Sequence, residues 1–181
     1  VLIAPPPAEI RATETISFTA RASDAFGNRI ELAQITWTSS GSAGTIDDQG
    51  VLTASASAGF YADSVVASAE FAGVSVDSPA SIRVTPGPLS RAVAAPELVQ
   101  FVAGEIAQLQ PPIGFDRHGN AIERTVAIWS SLDEAAGEVS PSGLFVAGQA
   151  PGEYPNALQV RISKEGATRT TTVSVTILPA P

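Results

Sequence analysis

Two stretches of this chain repeat one another. Asp24-Ala25-Phe26-Gly27-Asn28-Arg29-Ile30 returns as Asp116-Arg117-His118-Gly119-Asn120-Ala121-Ile122, a shared D-x-x-G-N-x-I displaced by 92 positions. At the same displacement Ile35-Thr36-Trp37-Thr38-Ser39 meets Ala127-Ile128-Trp129-Ser130-Ser131, so both tryptophans coincide. Thr45-Ile46, Gly50-Val51-Leu52-Thr53-Ala54 and Gly59-Phe60-Tyr61 then match Glu138-Val139, Gly143-Leu144-Phe145-Val146-Ala147 and Gly152-Glu153-Tyr154 at a displacement of 93. A slip of one residue is what an insertion in one loop produces. A duplication of this period means two copies of one folding unit. The expected modules are residues 1–87 and 88–181, joined through Thr85-Pro86-Gly87-Pro88-Leu89-Ser90. Its prolines stiffen the backbone and cannot donate to a sheet ladder.

The type of unit follows from the period of the apolar residues. No window repeats apolar residues at i, i+3, i+4 and i+7 over three turns, and Gly and Pro interrupt the chain throughout. Period-two alternation is common instead. It marks Thr15-Ile16-Ser17-Phe18-Thr19-Ala20, Ile35-Thr36-Trp37-Thr38, Ser64-Val65-Val66-Ala67-Ser68-Ala69 and Ser81-Ile82-Arg83-Val84. In the second copy Val173, Val175 and Ile177 fall on one face of the last strand. Alternation is the signature of a strand with one buried face. Short strands separated by turns, in a module of this size, predict an all-β sandwich of about seven strands with Greek-key connections.

Within that frame the repeated residues acquire roles. In D-x-x-G-N the Gly takes a positive φ without steric penalty, the Asn tolerates one, and the Asp bonds backbone two residues on. The element is expected to be the loop fixing the crossing from the second strand to the third. Trp37 and Trp129, each mid-strand among small polar neighbours, are expected to anchor the two cores rather than stack on a sugar. Tyr61 and Tyr154 precede the penultimate strand, where a tyrosine-corner hydroxyl ties back to backbone.

The order of these features resembles the bacterial immunoglobulin-like (Big) domains, closest to the group-2 type of intimin-like adhesins. The matching residues are the D-x-x-G-N loop, Ile35-Thr36-Trp37-Thr38-Ser39-Ser40, Gly50-Val51-Leu52-Thr53-Ala54 and Gly59 ahead of the strand from Ser64. In the second copy they are Ile128-Trp129-Ser130-Ser131, Val139-Ser140-Pro141-Ser142-Gly143-Leu144-Phe145-Val146-Ala147 and Gly152. The likeness covers nearly the whole chain. It departs at the loop over residues 41–44, rich in small residues, at the acidic Asp133-Glu134, and at final strands longer than a minimal module needs. The resemblance implies two tandem immunoglobulin-like sandwiches serving as an extracellular spacer, stalk, adhesive unit or filament unit. It implies no enzyme, and a fold alone fixes no function.

Charge and composition exclude several classes. Ten Lys and Arg against 18 Asp and Glu give a net charge of −8, with the cations scattered. Binding a phosphate backbone needs clustered cations, so nucleic acid is not an expected partner. No apolar run approaches the length of a membrane span. The N-terminus lacks a basic stretch followed by an apolar one, and with no Met the chain reads as a processed form or a fragment. Absent cysteines leave neither disulfides nor thiolate ligands.

Side chains able to carry chemistry are equally sparse. His118 is the single histidine and has no Ser, Cys or carboxylate constellation beside it. Zinc lacks three or four ligands, and no glycine-rich loop joins a strand to a helix. The pairs Asp47-Asp48 and Asp133-Glu134 read as occupying related loops of the two copies; a weak calcium site there would have few oxygens. No catalytic, cofactor-binding or metal residue is therefore expected.

Two functional readings follow. The first is a structural or adhesive module of a bacterial cell-surface protein. Its partners would be other modules or subunits, joined by strand addition through residues 1–7, or a host or glycan ligand. The second is an accessory or carbohydrate-binding module of a large secreted enzyme, which calls for a row of exposed aromatics.

Overall fold

The computed structural model describes residues 2–4 (as backbone), 8–31 and 33–181. It is all-β, and it resolves into two compact units, Val1–Gly87 and Pro88–Pro181. Each is a sandwich with its own apolar core.

In the first unit the strands run β1 (Leu2–Ala4), β2 (Ala8–Arg11), β3 (Thr15–Ser17), β4 (Thr19–Arg21), β5 (Gln34–Ser39), β6 (Gly44–Ile46), β7 (Val51–Ala54), β8 (Gly59–Phe71) and β9 (Val74–Thr85). One sheet has the order β2-β9-β8-β5, with β2 parallel to β9 and the other pairs antiparallel. Facing it are β3-β7-β6 and the pair β1-β4. The core between them holds Phe18, Leu52, Val65, Ala67, Ile82 and Val84. Full burial of a Val, Leu, Ile or Phe side chain contributes roughly 1.5–3 kcal/mol.

The second unit follows the same plan with β10 (Arg91–Val93), β11 (Leu98–Val102), β12 (Ile106–Gln108), β13 (Ile113–Phe115), β14 (Ala121–Ile122), β15 (Val126–Ser131), β16 (Gly137–Val139), β17 (Leu144–Ala147), β18 (Gly152–Lys164) and β19 (Ala167–Leu178). Its sheets are β11-β19-β18-β15, β12-β17-β16 and β10-β13-β14. Parallel β11-β19 repeats β2-β9.

Among the described residues each module has more and shorter strands than the seven expected. The run expected over Thr15 to Ala20 breaks at Phe18, which turns its ring into the core at 2% exposure while its N–H donates to the Gly50 carbonyl at 2.8 Å. Long hairpins form the other extreme. β8-β9 and β18-β19 each turn through two positive-φ residues, Ala72-Gly73 and Glu165-Gly166, the geometry that matches strand twist. Both carry a bulge on the first strand, between Tyr61 and Val65 and between Tyr154 and Leu158. The bulge residues Asp63 and Asn156 have positive φ, and their N–H groups donate to Ser81 Oγ (3.0 Å) and Ser174 Oγ (3.1 Å).

Two sequence expectations need correction. Leu2–Ala4 pairs antiparallel with Thr19–Arg21 of its own chain, so these residues are not a free donor strand; Val1 and residues 5–7 lie outside the described residues. The stretch read as a plain joint belongs in part to the modules: Thr85 ends β9, and Leu89 is a core residue of the second unit at 2% exposure.

Candidate functional site

The residues singled out by the repeat are positioned by strands and turns, and most hold backbone in place. Asp24 lies past β4. Its Oδ1 accepts from the N–H groups of Phe26 (2.9 Å) and Asn28 (2.8 Å), and its Oδ2 accepts from Asn28 Nδ2 (2.9 Å). Asp116 repeats this with His118 (2.8 Å), Asn120 N–H (2.9 Å) and Asn120 Nδ2 (2.7 Å). The D-x-x-G-N element is thus a turn in which both oxygens of the Asp carboxylate accept from the turn's own N–H groups. The Asn28 side-chain amide, then the Asn28 N–H, hold the Asp24 carboxyl below the ordinary aspartate value against an opposing desolvation. The surroundings differ: Asp24 is exposed, whereas Asp116 is 1% exposed.

The tryptophans diverge in the same sense. Trp129 is buried at 5% exposure, as expected, but Trp37 is only half-buried, tilted against Phe18 at a centroid distance of 6.2 Å. Cross-strand neighbours explain the difference. Trp129 lies opposite Val160, while Trp37 lies opposite Ala67, which offers less cover. Gly50 and Gly143 complete each indole seat. Both have positive φ, and a methyl group added there would lie 2.9 Å from Trp37 Cε2 and 3.0 Å from Trp129 Nε1.

Tyr61 and Tyr154 lie within β8 and β18 rather than ahead of them. Their hydroxyls donate to the carbonyls of Ser57 and Ala150, each at 2.8 Å. The acidic pairs do not occupy related loops. Asp47-Asp48 sits in the β6–β7 turn, where Asp47 Oδ1 accepts from Gln49 (3.0 Å) and Val51 (2.8 Å) N–H groups. Asp133-Glu134 sits in the β15–β16 turn, where Asp133 Oδ1 accepts from Ala135 N–H (2.9 Å). The counterpart of Asp47 is Ser140, whose Oγ accepts from Leu144 N–H at 3.0 Å. The shared acidity of the two pairs hid this, because each carboxylate serves its own local turn.

His118 is exposed and accepts from Arg117 Nε at 2.9 Å. Among the described residues no group of three or more His, Cys, Asp or Glu could hold a metal ion, and no helix is long and apolar enough to cross a membrane. Among the same residues no buried side-chain nitrogen or oxygen lacks a hydrogen-bond partner. What sequence reasoning missed is an apolar groove at the hairpin end of the first module, lined by Ala69, Phe71, Val74 and Val76. The signal was the apolar character of those residues beside the Ala72-Gly73 turn.

No family model matches the chain, and no curated protein matches it. Among solved structures, mouse cadherin-23 domains EC22–24 superimpose with a TM-score of 0.52 at 14% identity, over 99% of this chain and 64% of that one. The Escherichia coli adhesin FdeC superimposes with a TM-score of 0.51 at 18% identity, over 97% of this chain and 62% of that one. The chain therefore spans less than two-thirds of either structure. At these identities the likeness establishes the fold, an immunoglobulin-like sandwich in tandem.

Proposed function

We propose that the chain is a non-catalytic structural or adhesive segment of an extracellular bacterial surface protein, built from two Big-type immunoglobulin-like modules. One observation carries the reading. The conspicuous polar residues of the repeat, Asp24 and Asp116, Tyr61 and Tyr154, and Ser81 and Ser174, all bond backbone. Side chains used in this way lock turns and bulges. They suit a spacer or stalk that must keep its shape. The likeness in fold to an adhesin and a cadherin is consistent with that use, and the partners proposed are neighbouring modules or another surface protein.

The carbohydrate-binding reading ranks below it. It calls for aromatics aligned on one face, yet Trp129 is buried and Trp37 half-buried. The exposed rings Phe26, Phe60 and Phe71 sit at a loop, a strand start and a hairpin tip. Phe60 is further covered by the Arg83 guanidinium, 5.5 Å from its centroid.

Stretching single molecules from both termini tests the structural reading. Two unfolding events are expected, each releasing roughly 300 Å of chain at about 3.3–3.6 Å per residue. Extension without resolved force peaks would contradict a mechanical role. Binding to a glycan panel that is lost in Phe26→Ala or Phe71→Ala would move the assignment to the carbohydrate reading.

A further inference from the structure

The second module shows how its first strand is seated. Leu89 lies just ahead of β10 and is 2% exposed. A methyl group added at Gly114 would lie 2.8 Å from Leu89 Cδ1, 3.0 Å from Ile162 Cδ1 and 3.2 Å from Thr125 Cγ2, so these three side chains converge over that glycine. The next residue is fixed on both sides. Ser90 N–H donates to the Phe115 carbonyl at 2.8 Å, and the Ser90 carbonyl accepts from Arg169 Nε at 2.7 Å. Leu89 is thus a plug whose position is fixed by the two hydrogen bonds on the backbone of Ser90, one from Arg169 and one to Phe115.

In the first module the equivalents of Gly114, Thr125 and Ile162 are Ala22, Ala33 and Ala69. Those three alanines line, with Phe71, Val74 and Val76, an open groove of about 310 Å³. Phe71, Val74 and Val76 are 45%, 64% and 48% exposed, where the second module carries Lys164, Ala167 and Arg169. Ser23 is the one polar residue in the lining, so a small polar ligand finds little to orient it. Register fixes where a counterpart of Leu89 would stand. Val93 pairs with Ile113, and Leu2 pairs with Arg21, its repeat equivalent. Leu89 is four residues before Val93, so its counterpart lies four residues before Leu2, ahead of Val1.

We propose that this groove is the seat of a leucine-sized side chain on an extended segment running into β1. The occupant is continuous with the chain, as Leu89 is with β10. With Val76 in place of Arg169, apolar contact with Phe71, Val74 and Val76 replaces the guanidinium clamp. The inference stands on packing in the two copies and is independent of any adhesive role.

The test adds Pro-Leu-Ser-Arg ahead of Val1 of the full chain, which puts leucine at the required position. Pro-Ser-Ser-Arg and the unextended chain are the controls. Amide hydrogen exchange is read at residues 69–76, together with the melting midpoint of the first module. The leucine extension should slow exchange there roughly tenfold or more and raise the midpoint by about 5 °C or more, while the serine extension changes neither. Equal exchange in the two extensions overturns the proposal. So does concentration-dependent protection of residues 69–76 in the unextended chain, because that gives the groove to a second copy.

Discussion

In the second module Trp129, Asp116 and Leu89 are all buried, whereas in the first Trp37 is half-buried, Asp24 stands in solvent and the hairpin end opens into an apolar groove. The strand registers are nevertheless alike, bulge for bulge and turn for turn. The difference lies in side-chain volume. Along the inner face of the long hairpin the first module places Val65, Ala67, Ala69 and Ala80 where the second places Leu158, Val160, Ile162 and Val173. Each added buried methylene contributes about 0.8 kcal/mol. Turn chemistry and hairpin pairing therefore define the sandwich, and core volume decides how tightly it closes. The second module is expected to melt after the first.

The sharpest way to break this contrast is at the indoles. Trp129→Ala should destabilise the second module by roughly 3–5 kcal/mol, and Trp37→Ala should destabilise the first by clearly less. Urea unfolding followed by residue-resolved NMR would read both, and equal losses would remove the distinction. Next come the loop carboxylates. Asp116→Ala empties a buried carboxylate seat and leaves the part-buried N–H groups of His118 and Asn120 without that acceptor, and should destabilise by about 1–3 kcal/mol. Asp24→Ala should have a smaller effect, because water reaches the groups it releases. The tyrosines probe what the modules share: Tyr61→Phe and Tyr154→Phe should each lose about 1 kcal/mol, the net worth of one hydrogen bond.

The smallest effect is a pH dependence. Asp24 has a folded pKa below its unfolded value, because of the Asn28 side-chain amide first and the Asn28 N–H second. Its contribution to stability is therefore complete above the unfolded pKa, about 3.9, and is lost as pH falls through the folded one. In Asn28→Ala the Asp24 carboxyl should titrate nearer the ordinary value by NMR. An unchanged titration would assign the shift to another cause.

Much of this architecture was legible from the repeat. The turn around Asp24 and Asp116, the burial of Trp129 and the tyrosine hydroxyls follow from residues whose chemistry is local or strongly apolar. Tertiary context decided the rest. Leu89 looked like part of a proline-rich joint because nothing local says that Gly114 leaves room for it. Trp37 looked like its counterpart because the alanine opposite it lies thirty residues along the chain. The bulges at Asp63 and Asn156 depend on serines of the next strand. The repeat itself also extends further than identity revealed: Ile10 and Phe101 occupy one register position against Val84 and Ile177, although their residue types differ.

Separate closure of the two cores is tested most directly by hydrogen exchange on the intact chain carrying Phe145→Ala. Phe145 is fully buried in the second core. Protection should fall in β11, β15, β18 and β19 and remain unchanged in β2, β5, β8 and β9. A matching fall in both sets of strands would mean one shared cooperative core, and the description of two self-contained modules would fail.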